Sequence, residues 1–418
     1  MNKPRFAVGK TRLVQAGLCA AAVLLAGCSS PHPPGQTDKA TAAARPSPPP
    51  TPERPSKIKH WGSFFGGAKG VNYDLQLSPD AMTVPGTVAE IGSSNSTEYA
   101  LLTNGVLYAW GLGSDGELGD GTRHNSFRAP VRVHFPRGVT IASIPTDVMP
   151  YDTALAIDTR GNVWGWGTNG GGELCLGNAR EYTTPVRLPF SRVSAVAGAS
   201  NHALYDAAGT VYACGQNVDG DLGTGSRSNT TTPQRVAVLN GAPVTGLFAS
   251  FANSGALLAN GDYYDWGYDA NGQLGDGTFH KASDVPVHVP LPHPVSVVAQ
   301  GGSIWNNGQT LALLSEGSLW AWGDNWAGQL GDGTRSNQAS PVRFSAPRGV
   351  TYKSLATGSA TSYAVTTTGD VYAWGTSFAG QVGNGATLVT PAPVLVASGA
   401  GAISSTANNV VVTVPGPA

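Results

Sequence analysis

Cysteine is scarce, four in 418 residues, and charged residues make up only 12% of the chain. Four cysteines are too few for a small disulfide-built scaffold. The charges nearly balance, 25 Lys+Arg against 26 Asp+Glu, which leaves no basic excess to track a phosphate backbone, so nucleic acid is not an expected partner. Gly-x-Ser-x-Gly, His-Glu-x-x-His and Gly-x-x-x-x-Gly-Lys-Ser/Thr are all missing, and the eight histidines are scattered without ligand spacing. No catalytic residue, metal site or cofactor is expected, and an enzyme is not. No apolar stretch suits a mature transmembrane helix, the run Leu13 to Leu25 being too short.

That run has a different use. Lys3, Arg5, Lys10 and Arg12 precede it without an acid, and it ends in Leu25-Ala26-Gly27-Cys28. A basic start, a short apolar run and small residues make residues 1–27 an export signal. The ending resembles the bacterial lipobox, which implies a diacylglycerol on the Cys28 thiol. The expectation is an exported chain, lipid-anchored at Cys28 to the cell membrane and facing outward. Residues 28–56, rich in Pro, Ala, Ser and Thr, bury too little to fold and read as a disordered tether. Cleavage removes four bases and no acid, leaving 21 Lys+Arg against 26 Asp+Glu. Of the cysteines only Cys175 and Cys214 stay in the body, and whether they pair is left open.

What is abundant is glycine, 56 residues, and it is periodic. Trp-Gly recurs at Trp61, Trp110, Trp166, Trp266, Trp322 and Trp374, with Cys214-Gly215 in the same place between the third and fourth, about every 52 residues. In each of the six complete units a glycine follows six residues later (Gly116, Gly172, Gly220, Gly272, Gly328, Gly380), in three of them two residues ahead of Leu-Gly-Asp-Gly-Thr. Another precedes by five (Gly105, Gly161, Gly209, Gly261, Gly317, Gly369), where a hairpin needs positive φ. Between it and the Trp, bulky residues alternate, as in Tyr108 and Trp110 or Trp320 and Trp322, while Leu107, Val163, Val211, Leu319 and Val371 fill the other face. Small sheets apolar on both faces and repeated in series must stack radially, which predicts an all-β, seven-bladed β-propeller over residues 57–414 with a tail at 415–418.

The pattern resembles the regulator of chromosome condensation repeat from about Ile58 to Val414. Three departures are expected to weaken individual blades: Cys214 for a Trp, Cys175 and Leu176 inside the third unit's turn, and the irregular Phe64-Phe65-Gly66-Gly67. Ile58 to Gly62 has no hairpin partner before it, and Ile403 to Val414 has no Trp-Gly strand after it. The two half-blades are predicted to pair, closing the ring and hiding both edges.

Both loops at the open end of each hairpin emerge on one end of the ring, and there the units diverge. Phe64, Phe65, Tyr151, Phe251, Tyr268, Trp305, Trp326 and Phe378 fall in these loops and are the predicted partner-binding face. Asp120, Asp276 and Asp332 share their repeat position with Asn384, Thr224 and Leu176 and are assigned to turn capping rather than metal binding. The resemblance implies two functional precedents. Nucleotide exchange on a small nuclear GTPase is excluded by the export signal. Secreted bacterial inhibitors that clamp a β-lactamase with one propeller face, to which the chain bears a distant likeness, share its compartment. The expected function is a monomeric, non-enzymatic protein-binding scaffold at the cell envelope; an enzyme inhibitor, or a cell-wall carbohydrate binder using the same aromatics, is the alternative.

Overall fold

The computed structural model describes residues 55–66, 71–94, 96–145, 152–199, 201–237, 239, 243–251, 253–303, 307–344, 349–405 and 408–414. The signal, Cys28, nearly all of the tether and the tail lie outside the described residues. Among the described residues there is no helix, and twenty-eight strands form seven four-stranded antiparallel sheets. Numbered by their Trp or Cys, blade 2 (Trp110) runs Val88–Ser93, Thr97–Leu102, Leu107–Gly111, Ser126–Arg132, and blades 3 to 7 repeat this order up to Ala397. The six hairpin glycines all take φ between 74° and 89°. The fourth strand carries prolines, such as Pro130 and Pro341, and sits at the sheet edge, where a missing N–H breaks no ladder.

Blade 1 closes the ring. Ile403–Ser405 and Asn409–Thr413 come from the carboxyl end, Ser56–Gly66 and Val71–Val84 from the amino end, in the order Val71–Val84, Ser56–Gly66, Asn409–Thr413, Ile403–Ser405. The register places Ile58 opposite Thr413 and Trp61 opposite Val410. Both half-blades find their complement, as predicted. The long outer strand Val71–Val84 carries no repeat signature and was not foreseen.

Five pairs of neighbouring blades are joined by the same contact. The Trp indole is fully buried and donates to the backbone carbonyl of the seventh residue after the previous blade's Trp or Cys position: Trp166 to Glu117 (2.8 Å), Trp266 to Asp221 (2.9 Å), Trp322 to Gln273 (3.0 Å), Trp374 to Gln329 (2.8 Å) and Trp61 to Gln381 (2.8 Å). The last of these spans the closure, so the terminal blade is latched like the others. The glycine two residues beyond the carbonyl makes room: a Cβ on Gly275 would stand 2.8 Å from two atoms of the Trp322 indole.

Between blades 3 and 4 the latch is covalent. Cys214 holds the Trp position and Cys175 the position of the facing glycine, and the two are disulfide-bonded, Cα–Cα 5.5 Å, with Cys175 at φ 58°. The two departures expected to weaken their blades therefore compensate each other, since the side chain that would strike an indole instead bonds the thiol standing in its place.

Three outcomes follow for melting experiments. Trp322→Ala removes a fully buried indole and its bond, at a cost of about 3–5 kcal/mol. Reduction lowers the melting temperature of the parent by the equivalent of about 2–4 kcal/mol but leaves Cys175→Ala/Cys214→Ala unchanged; equal sensitivity in both would show that the bridge does not hold the seam. Deleting residues 57–62 strips blade 1 of its latch and markedly lowers the melt, and an unchanged melt would refute the closure.

Candidate protein-binding face

The turn leaving each Trp-Gly strand folds by a fixed division of labour. Counting from the Trp or Cys, the third residue accepts the backbone N–H of the eighth: Asn169 from Leu174, Asn217 from Leu222, Asp269 from Leu274, Asn325 from Leu330 and Ser377 from Val382. The seventh accepts the N–H of the fifth, as Glu117 does from Asp115 and Gln329 from Ala327. The eighth, always Leu or Val, is fully buried. With the third, seventh and eighth turned inward, the fourth is left for solvent: Ser114, Gly170, Val218, Ala270, Trp326 and Phe378.

Trp326 of blade 6 and Phe378 of blade 7 therefore project side by side. They are 42% and 61% exposed, and their rings stack at 6.2 Å and 26°. Two large apolar rings paired in water have no role in the core, where each turn already has its Leu or Val. Tyr268 and Phe251 are half-buried. Phe64 corrects the prediction: it is fully buried, stacks on Phe127 at 5.6 Å and fills the seam beside Trp110, where blade 1 lacks the regular turn. Phe65 lies in strand Ser56–Gly66, its side chain outside the described residues, as are Tyr151 and Trp305 altogether. Sequence reasoning missed Val218, Phe279 and Leu388, all exposed in the same loops. The alignment of fourth positions carries the signal for Val218; Phe279 and Leu388 occupy positions that are polar in most units.

Asp120, Asp276 and Asp332 each accept the N–H and hydroxyl of the Thr two residues on, which is the turn capping assigned to them. The seventh position divides the ring electrostatically. It is Glu117, Glu173 and Asp221 in blades 2 to 4 but Gln273, Gln329 and Gln381 in blades 5 to 7. Burial pushes the Glu117 carboxyl up to about 8, helped by the charge of Asp152, and pushes Asp221 up to about 7. Burial likewise lowers His202, bonded to the Ser254 hydroxyl, to about 4. On the axis, the innermost strands of all seven blades line a cavity of about 700 Å³ whose charged groups are Glu90 and Lys353. Glu90 accepts the Ile144 N–H and Lys353 donates to the Ala400 carbonyl.

Comparison with known proteins agrees with this architecture. Residues 104–145, 160–205, 208–251 and 316–365 match the model of the Regulator of chromosome condensation (RCC1) repeat, and 352–381 match a second model of it. The chain is similar to the ultraviolet-B receptor UVR8 of Arabidopsis thaliana, 29% identical over 299 residues, 69% of this chain and 65% of the receptor. It is also similar to the human E3 ubiquitin-protein ligase HERC2, 30% identical over 337 residues, 78% of this chain but 6% of the ligase. The chain thus spans less than two thirds of either relative. Among solved structures it resembles human WBSCR16 (TM-score 0.73, 19% identity, 86% of this chain and 98% of that one). Prp20p of Saccharomyces cerevisiae is comparably similar (TM-score 0.71, 20% identity, 86% and 92%). Matched repeats, sheet count and closure agree: the chain is a seven-bladed β-propeller of the regulator of chromosome condensation repeat family.

Proposed function

We propose that this propeller is a non-enzymatic scaffold that captures a protein partner on its loop end, tethered by lipid on Cys28 to the outer face of a bacterial cytoplasmic membrane. The observation that carries the binding role is the exposed Trp326–Phe378 stack. Preformed aromatic pairs lose little side-chain freedom when covered and are frequent anchors of interfaces. Prp20p, of the same fold, is described as binding Gsp1p and histones, and a further structure shows the yeast protein bound to Kap60, so propellers of this architecture serve as protein-binding platforms. The anchor rests on the sequence: Leu25-Ala26-Gly27-Cys28 behind a short basic and apolar leader, then a Pro-rich spacer able to hold the disc clear of the lipid surface. The propeller is expected to act as a monomer.

Trp326→Ala/Phe378→Ala should fold like the parent and weaken capture of the envelope partner about thirtyfold or more, the loss expected of an aromatic hot spot. Recovery of the same partners at equal affinity would place the binding surface elsewhere. Inhibition of β-lactamase turnover at nanomolar protein would make the partner an enzyme, and sedimentation with purified peptidoglycan would replace the protein partner by the cell wall. Cys28→Ala should move the protein from the membrane to the soluble exported fraction; continued membrane retention would remove the lipid anchor.

A further inference from the structure

Blades 2 and 3 meet at a cluster that turn formation does not explain. Asp115 and Glu117, fifth and seventh after Trp110, face Asp152, which leads into strand Thr153–Asp158. One carboxylate oxygen of each lies within 4.8 Å of the other two. Glu117 is fully buried and Asp152 is 9% exposed, while Asp115 is half-buried at the mouth. Glu117 Oε2 takes the Asp115 N–H, but Glu117 Oε1 and Asp152 Oδ1 are buried without a hydrogen-bond partner among the described residues.

Asp221 Oδ1, at the same position of blade 4, also lacks a partner, but among the described residues no group of three acids converges there; other equivalent side chains do find partners. Glu173 Oε1 accepts the Thr153 hydroxyl at 3.0 Å, and Gln329 and Gln381 donate to Asp324 and Asn408. Around Glu117 the available donors are spent. The Tyr99 hydroxyl and the Trp166 indole go to its backbone carbonyl rather than its carboxylate, and the Ser114 hydroxyl goes to Asp115. Ser96 supports Asp152. The exposed Arg123 guanidinium binds Glu181 and the Ser114 carbonyl, and among the described residues no Lys or Arg pairs with any of the three acids. A single proton held between Glu117 and Asp152 would occupy two acids. A third carboxylate converging from the solvent side calls for a larger positive charge and supplies its path of entry.

We propose that Asp115, Glu117 and Asp152 form a binding site for a hard divalent cation at the seam between blades 2 and 3. The donor set is oxygen only, without Cys or His, which favours calcium or magnesium over zinc or copper. The ion would join two residues of one turn on one side of the seam to the strand entry on the other, at the end of the ring where the loops gather.

The test compares melting of the purified protein in chelator with melting in millimolar calcium chloride, with magnesium chloride as a second arm. Binding to the folded state alone should raise the melting temperature by about 2 °C or more, and calorimetry should show one site. Glu117→Gln installs the residue that blades 5 to 7 already carry, so it should fold; it should abolish the shift, while Glu173→Gln in the next turn should keep it. The pH dependence has a definite sign. Burial raises Glu117 to about 8 and Asp152 to about 7, so the folded state favours the protonated acids, and stability in chelator falls as pH rises through that range. Calcium needs them deprotonated, so its shift should grow between about pH 6.5 and 8.5. Absence of any calcium or magnesium shift or heat at the upper pH would leave a proton as the occupant and overturn the site. A shift that survives Glu117→Gln would put the ion elsewhere.

Discussion

At five of its seven seams the ring is held by a bond from a buried indole N–H to a carbonyl in the preceding blade's turn. Its geometry dictates most of what recurs in the sequence. The carbonyl must be presented at a fixed place, which the third, seventh and eighth residues of the turn secure. In four seams that carbonyl also takes a second donor, Tyr99 at Glu117, Ser254 at Asp221, Ser362 at Gln329 and Tyr363 at Gln381, so both of its lone pairs are used away from water. An indole packed this closely tolerates no side chain on the residue facing it, which is why the position two beyond the carbonyl is glycine wherever the latch is Trp.

This constraint explains how the fold tolerates the loss of a Trp. Cysteine at position 214 alone would leave a hole where the indole stands in other seams; cysteine at position 175 alone would collide with an indole. Together they replace an indole hydrogen bond and its close packing on glycine by a covalent bond across the same gap, and the Tyr205 hydroxyl takes the Glu173 carbonyl. The disulfide is thus a substitute latch at one seam of seven.

The fold was legible because its determinants are local and periodic. The spacing of Trp110, Gly116 and Gly105 and their counterparts reports one blade each, and the odd half-units at Ile58 and Val410 report the closure. The disulfide was not legible, because a pair at separation 39 gives no sign of the contact it replaces until the facing glycine and Trp are seen to touch. Phe64 was misplaced for a related reason. It sits in a loop by repeat count, but blade 1 has no regular turn, so the seam at Trp110 lacked a plug and took that ring. Trp326 and Phe378 were legible as loop aromatics, whereas their pairing required knowing that fourth positions of adjacent blades project side by side.

The seventh position shows how such a scaffold can specialise without losing its latches. Only its backbone carbonyl serves the seam and only one side-chain oxygen serves the turn, so Glu, Asp and Gln all meet the structural need. The remaining atom is free to differ, and it does so by halves: carboxylates in blades 2 to 4, amides in blades 5 to 7. The exposed fourth position differs along nearly the same division, small or aliphatic in blades 2 to 5 and aromatic in blades 6 and 7. A partner approaching the loop end therefore meets an apolar ring pair on one side and a buried acidic layer on the other. The loop end thus has two unlike sides, set by atoms that neither the latches nor the turns use.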